Sequence, residues 1–450
     1  MTVTAQTLRR AQVATLGLQH VLAMYAGTVV VPLLIGSALK LNSAQMAYLL
    51  ASDLFTCGIA TLLQVIGTRF VGIRLPVVLG CTFTAVAPIA AIGRTSGMPA
   101  VFGAILAAGL MVVLVAPVFG KVLRLFPTVV TGSVVTIIGL SLIPVAMNDA
   151  AGGSGSSDFG RPLNLCLALG TLLLILFLNR FLTGFARSVS VLIGLIAGTL
   201  AGWLLGIVHF DAVASASWVS VVHPFYFGVP RFQPMAVLTM CVVCLVSLVE
   251  STGVYFAISR VTGQSITEAD IVRGLRAEGL AILIGGVFNT FPYTTFSQNV
   301  GLVSLTRVKA RSVIVAAGVI LVILGCLPKL AALATVIPSA VLGGSMIAMF
   351  GMVVAYGMNI LSHVDFGRNE NLLVVACSVA VGLGSAVAPQ VFSHLPGSLQ
   401  MLLQNGIVSG SVTAVLLNLF LNHRGGAGQM SPHGSREPRP EPRVPQTLAE

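Results

Sequence analysis

The sequence predicts an all-α polytopic membrane protein of fourteen transmembrane segments, built as two inverted seven-span repeats with short extended stretches in broken spans 3 and 10. Three observations carry this. Only 8% of the 450 residues are charged, against about 25% in soluble domains, and the mean hydropathy is +0.99. Apolar stretches of helical length recur along the chain, and two short fragments recur at nearly the same offset.

The apolar stretches lie near 14–36, 45–66, 74–93, 98–119, 127–147, 163–179, 188–208, 234–258, 277–290, 294–306, 311–328, 332–357, 370–391 and 400–421. A spanning helix needs about 20 residues; most qualify, but 277–290 and 294–306 are short and split at Phe291-Pro292. The first stretch follows a polar, basic segment without a small-residue cleavage site. It therefore reads as a first span rather than a cleaved signal. Charge tests the count. With a cytoplasmic N-terminus and strict alternation, 19 Lys and Arg fall inside and 5 outside, the latter being Lys40, Arg94, Arg161, Arg231 and Lys329. That asymmetry satisfies the positive-inside rule.

The repeat is read from Pro127–Gly132 against Pro338–Gly343 and from Thr82-Phe83-Thr84 against Thr295-Phe296-Ser297. A seven-span unit, being odd, inserts its second copy upside down. Inverted repeats place a binding site near the midplane, at discontinuous helices. Spans 3 and 10 both carry the Thr-Phe element and both are interrupted, by Pro76 and Gly80 and by Pro292. The expected organisation is a cytoplasmic N-terminus at 1–13, repeats over 14–213 and 214–422, and a Pro-rich, disordered cytoplasmic tail over 423–450. The segment 151–157, rich in Gly and Ser, reads as an external loop.

Several function classes drop out. The net charge of +11 comes from residues scattered over short loops, without the clustered footprint of nucleic-acid binding. Cys241 and Cys244 form a CxxC, but in an apolar run with no second pair, where cysteine is a small packing residue. No phosphate-binding GxxxxGK[ST] or zinc-binding HExxH string occurs; we expect no cofactor, no metal and no enzyme. Transport must then draw on an ion gradient.

The candidate site residues are polar groups out of place in apolar spans. A carboxylate at the bilayer centre costs roughly 2.5–3.5 kcal/mol, so Glu250 and Glu278 point to a polar pathway. Gln298 and Asn299 are equally anomalous. An ionised Glu250 offers only acceptors and can take two ring N–H protons, whereas Gln298 can pair with a mixed edge. Phe83 or Phe296 can pack on a flat ring, with Thr82 and Ser297 lining the same site. Asn299 is expected mainly to hold the broken backbone of span 10. His20, Asp53 and Glu278 are assigned to proton coupling or to support behind the site, Asp53 with the alternative of capping a broken helix.

The string Gln298-Asn299-x-Gly301-x-x-x-x-Thr306-Arg307 resembles the signature of the nucleobase–ascorbate transporter family, the nucleobase:cation symporters of the second kind. Gly17–His20, Glu250–Gly253 and Arg276–Leu280 resemble its purine-transporting members, and the likeness covers residues 12–422. The resemblance implies a core of spans 1–4 and 8–11 and a gate of spans 5–7 and 12–14. It further implies that Glu250 and Gln298 hold the base, that Glu278 supports the site, and that the protein is a homodimer through its gates. Position 278 is Asp in some relatives.

The expected function is import of uric acid or xanthine across the inner membrane with protons, since a carboxylic acid in low dielectric exchanges its proton near neutral pH; sodium is the alternative ion. A uracil-type symporter is the competing substrate reading. An inorganic-anion carrier is weaker, because such a site favours cations or bare helix N-termini.

Overall fold

The computed structural model describes residues 9–422 apart from 124, 154, 209, 211–212 and 215. The tail expected over 423–450 lies outside the described residues, as does most of the N-terminal segment. Among the described residues, fourteen helices run ten residues or longer. They are α1 (Arg10–Ala38), α2 (Ser43–Ile66), α3 (Val86–Ser96), α4 (Met98–Val115), α5 (Thr128–Ala150), α6 (Pro162–Phe181), α7 (Ser190–Leu204), α8 (Pro234–Thr262), α9 (Glu268–Val287), α10 (Ser297–Thr306), α11 (Arg311–Gly325), α12 (Ser339–Leu361), α13 (Asn369–Val387) and α14 (Gly406–Asn422). Two three-residue strands join them, β1 (Leu79–Cys81) before α3 and β2 (Tyr293–Thr295) before α10.

Among the described residues, eight helices are long and apolar enough to cross a membrane, and a ninth span forms if α11 is counted with Pro328–Thr335, bent 81° away from it. The shortfall from fourteen has identifiable causes. Helices α3 and α10 are only 11 and 10 residues long because each is preceded by extended chain. Helices α7 and α14 are apolar but have 15 and 17 residues. Helix α9 begins at Glu268 rather than near 277: its first three turns carry Glu268, Asp270, Arg273 and Arg276, and a Thr267–Asp270 capping box starts it.

The strands pair antiparallel, with Leu79 opposite Thr295, Gly80 opposite Thr294 and Cys81 opposite Tyr293. The amide of Phe296 reaches the Val78 carbonyl at 3.0 Å and that of Thr82 reaches the Pro292 carbonyl at 2.9 Å. Pro76 and Pro292 push their neighbours out of the helical region. Every residue of both strands is buried. Extended chain at membrane depth is tolerated only when its backbone groups are satisfied inside protein, and here the strands bond each other while the Leu79 and Thr295 amides go to the Thr61 and Ser251 hydroxyls.

Close helix pairs surround this crossing: α2 with α11, α4 with α9, and α5 with α12. The last pair runs antiparallel, Gly132 lying against Leu361, Gly139 against Val354, and Gly343 against Ala150. At Gly343 a Cβ would overlap the Ala150 backbone, so only glycine lets the two helices approach this closely.

Candidate functional site

Helix α8 is stitched to both strand segments, on either side of Glu250. One turn before it, Ser247 donates to Thr82 Oγ1 at 3.4 Å and lies 3.5 Å from Thr84 Oγ1. One residue after it, Ser251 Oγ meets Thr294 Oγ1 at 2.9 Å and accepts the Thr295 amide at 3.0 Å. Ser247 and Ser251, four apart, share a helix face. Both are fully buried. Glu250 flanks that face and is half-buried.

Glu250 looks across a narrow cleft at another helix. The cleft is lined by Val246, Val249 and Glu250 of α8 and by Phe126, Thr131, Val134, Val135 and Ile138 on or just before α5. Its ≈ 10 Å³ is about the space one water requires. That space is too small for a bicyclic ring. Phe83, partly buried, touches the same neighbouring layer: its ring meets Phe350 of α12 edge-on, with centroids 5.4 Å apart.

Gln298 and Ser297 open α10 three and two residues beyond β2, and both are exposed. Among the described residues, neither Gln298 nor Glu250 has a side-chain hydrogen-bond partner, so the polar atoms of both are unengaged. The Ser251–β2 joint ties their two elements together.

The remaining expected site residues fall behind this surface. Phe296 is 4% exposed, and its ring fills the space over Gly80 and Gly27; of the two phenylalanines, Phe83 is the one left facing the cleft layer. Thr82 is buried and bonded to Thr84. Asn299 does hold broken backbone, but that preceding β1 rather than its own: its Nδ2 donates to the Pro76 carbonyl at 2.6 Å. His20, buried on α1, stands beside Asn299. Asp53, buried in the middle of α2, caps no helix. Its Oδ1 accepts from Cys81 Sγ at 2.7 Å and from the Tyr293 hydroxyl at 3.1 Å.

Glu278 is fully buried on α9. Its Oε2 accepts from the Tyr255 hydroxyl at 3.3 Å, and Tyr255 in turn accepts from Gln64 Nε2 at 2.6 Å. Neither Tyr255 nor Gln64 was expected from the sequence. The signal existed, since Gln64 is an amide within an apolar span and Tyr255 lies five residues past Glu250.

Comparison with known proteins agrees across the chain. The Xan_ur_permease model, described as a permease family, matches residues 11–391. A nucleobase transporter of Paenibacillus larvae is 56% identical over 430 residues, covering 96% of this chain and 99% of its own. A xanthine permease of Bacillus subtilis is 57% identical, covering 91% and 93%. A uric acid permease of the same organism is 57% identical, covering 91% and 95%. Among solved structures, the transmembrane domain of a cyanobacterium bicarbonate transporter superposes with a TM-score of 0.64 at 18% identity, over 84% of this chain and 98% of that one. At that identity the likeness is one of fold.

Proposed function

The chain belongs to the bacterial nucleobase transporter family whose permease model it matches, and from that premise we propose a mechanism for it. It is a multi-pass inner-membrane secondary transporter of purine bases, uric acid and xanthine. In the proposed cycle, Glu250 accepts ring N–H protons, Gln298 pairs with a mixed donor–acceptor edge, and Phe83 packs on the ring face. A site built to pair such groups rejects rings that lack them, because its own polar atoms would stay unpaired.

The observation that carries this reading is Glu250 in its cleft: a carboxylate without a partner among the described residues, facing the largely apolar surface of α5. The proposed moving unit, a core, comprises α1–α4 and α8–α11; the gate comprises α5–α7 and α12–α14. Opening the α8–α5 cleft admits the base, and closing it on the other side completes alternating access. Ser297 stands at the wall with Thr82 and Phe296 packed behind it, while Glu278, His20, Asn299 and Asp53 couple the proton or hold the broken spans in place. Both termini are cytoplasmic, and the gates pair in a homodimer.

Two features of the packing support the inverted-repeat reading. Shifting each helix by seven positions exchanges the α2–α11 pair with the α4–α9 pair and maps α5–α12 and β1–β2 onto themselves. The strands begin at Leu79 and Tyr293, close to the offset of the repeated fragments.

The test is uptake of labelled urate and xanthine into proteoliposomes with an inward proton gradient. Glu250→Gln lowers uptake at least about tenfold, the equivalent of one lost interaction of about 1.4 kcal/mol. Excess xanthine competes with urate and excess uracil does not. Unchanged uptake by the variant would remove Glu250 from the centre of the mechanism, and competition by uracil would move the substrate to the pyrimidines.

A further inference from the structure

Gln64, Tyr255 and Glu278 come from three helices, α2, α8 and α9, and none of the three side chains is exposed. Backbone groups fix the direction of the hydrogen bonds at Gln64. Gln64 Oε1 accepts from the Ile73 amide at 3.0 Å, and Nε2 donates to the Gly274 carbonyl at 2.9 Å. An amide N–H only donates and a carbonyl only accepts, so these two backbone groups fix which way the Gln64 amide points. Its second N–H is then aimed at the Tyr255 oxygen, 2.6 Å away. With that oxygen already accepting, the hydroxyl proton is turned toward Glu278 Oε2 at 3.3 Å. The other carboxyl oxygen, Oε1, is buried and has no partner among the described residues.

We propose that Gln64 and Tyr255 are positioning residues for Glu278: a donor chain of fixed polarity that pins Oε2 and leaves Oε1 as the atom that takes up and releases the transported proton. This rests on the reading above that Glu278 takes part in proton coupling. The chain starts at the 67–74 connection, where the Gly72 amide bonds the Arg273 carbonyl. Glu278 is thereby tied to the arginine-rich end of the protein, which holds Arg69, Arg74, Arg273 and Arg276.

Few other groups compete for control of Glu278. The titratable side chains facing it come from α8, namely Tyr255, Cys244 and Glu250. From α4 the neighbours at this level are Val112 and Val113. From α2 the uncharged Gln64 reaches it through Tyr255, while Asp53 of α2 and Tyr293 of β2 are engaged with each other. On its own helix, Arg273 is paired with Asp270. A hydrogen bond donated to the charged form favours that form. Ser251 of α8 is the other hydroxyl beside this carboxyl; Tyr255 differs from it in that Gln64 holds its oxygen from behind.

The test is the pH profile of urate uptake by the full-length protein in proteoliposomes, with Tm measured on the same preparations. Tyr255→Phe removes one oxygen and keeps the ring. We expect its alkaline limb to move upward by about one pH unit with maximal uptake at acidic pH retained. Gln64→Leu, which frees the hydroxyl to turn elsewhere, moves the limb part of the way in the same direction. It carries the test if the tyrosine variant does not fold. Glu278→Gln flattens the profile. Profiles of Tyr255→Phe and Gln64→Leu that superimpose on the parent, with Glu278→Gln flattened, overturn the donor chain alone. A Glu278→Gln profile identical to the parent instead overturns the coupling role of Glu278, and the donor chain with it.

Discussion

Cys81 and Tyr293 face each other across the strand pair and donate to the same carboxylate oxygen, Asp53 Oδ1. One acidic side chain from α2 thus clasps both strands at the point where the two halves of the chain cross. The Tyr293 hydroxyl also lies 3.0 Å from Thr290 Oγ1, which fixes the approach of the chain into β2.

Removing the clasp should loosen the crossing. Asp53→Ala strands the buried Cys81 thiol and leaves the Tyr293 hydroxyl only Thr290 Oγ1 and the backbone carbonyl of residue 53, at a cost of about 1–3 kcal/mol for a group left unpaired. We expect a clear fall in apparent Tm together with a loss of uptake. Asp53→Asn keeps an acceptor oxygen and should fall between the variant and the parent. Thermal unfolding in detergent reads both.

Gln298 should behave in the opposite way. It is exposed and, among the described residues, unbonded, so Gln298→Ala should leave Tm unchanged. If it pairs with the base, KM for xanthine rises about tenfold, corresponding to about 1.4 kcal/mol. An unchanged KM would exclude it from the contact.

Gly80 and Phe296 should be coupled. The Phe296 ring occupies the volume a Cβ on Gly80 would need, and the ring is enclosed on all sides. Gly80→Ala should cost about 1–3 kcal/mol by overpacking. Adding Phe296→Leu, which vacates part of that volume, should recover some of the loss. A double-mutant cycle on Tm measures the coupling, expected on the order of 1 kcal/mol. Strict additivity would show that the two residues do not share this space.

Much of this was legible in the sequence because lipid imposes a strong rule: every helix segment announces itself by apolar content. The interruptions at Pro76 and Pro292 located both strands, and the Thr-Phe repeat fell within three residues of their register. The start of α9 was not legible from hydropathy. Arg273 lies before the apolar stretch that opens near Arg276, yet the helix already starts at Glu268. The different placements of Phe83 and Phe296 could not be read either. Both follow a threonine in matching motifs, and only the register of the strand pair decides which ring is enclosed. Gln64 and Tyr255 sit 191 residues apart, so their bond belongs to the packing of α2 on α8 and leaves no local pattern.

The strand crossing also has a consequence for how the protein is made. Leu79 leaves the ribosome long before its partner Thr295; at about 5–20 residues per second the wait is roughly ten to forty seconds. Throughout that interval the Thr82 amide lacks its Pro292 carbonyl and the Val78 carbonyl lacks the Phe296 amide, while the Leu79 amide is already met by Thr61 Oγ1 of α2. Biogenesis must therefore shelter a half-built protein, and the first half cannot mature until the second has been delivered beside it.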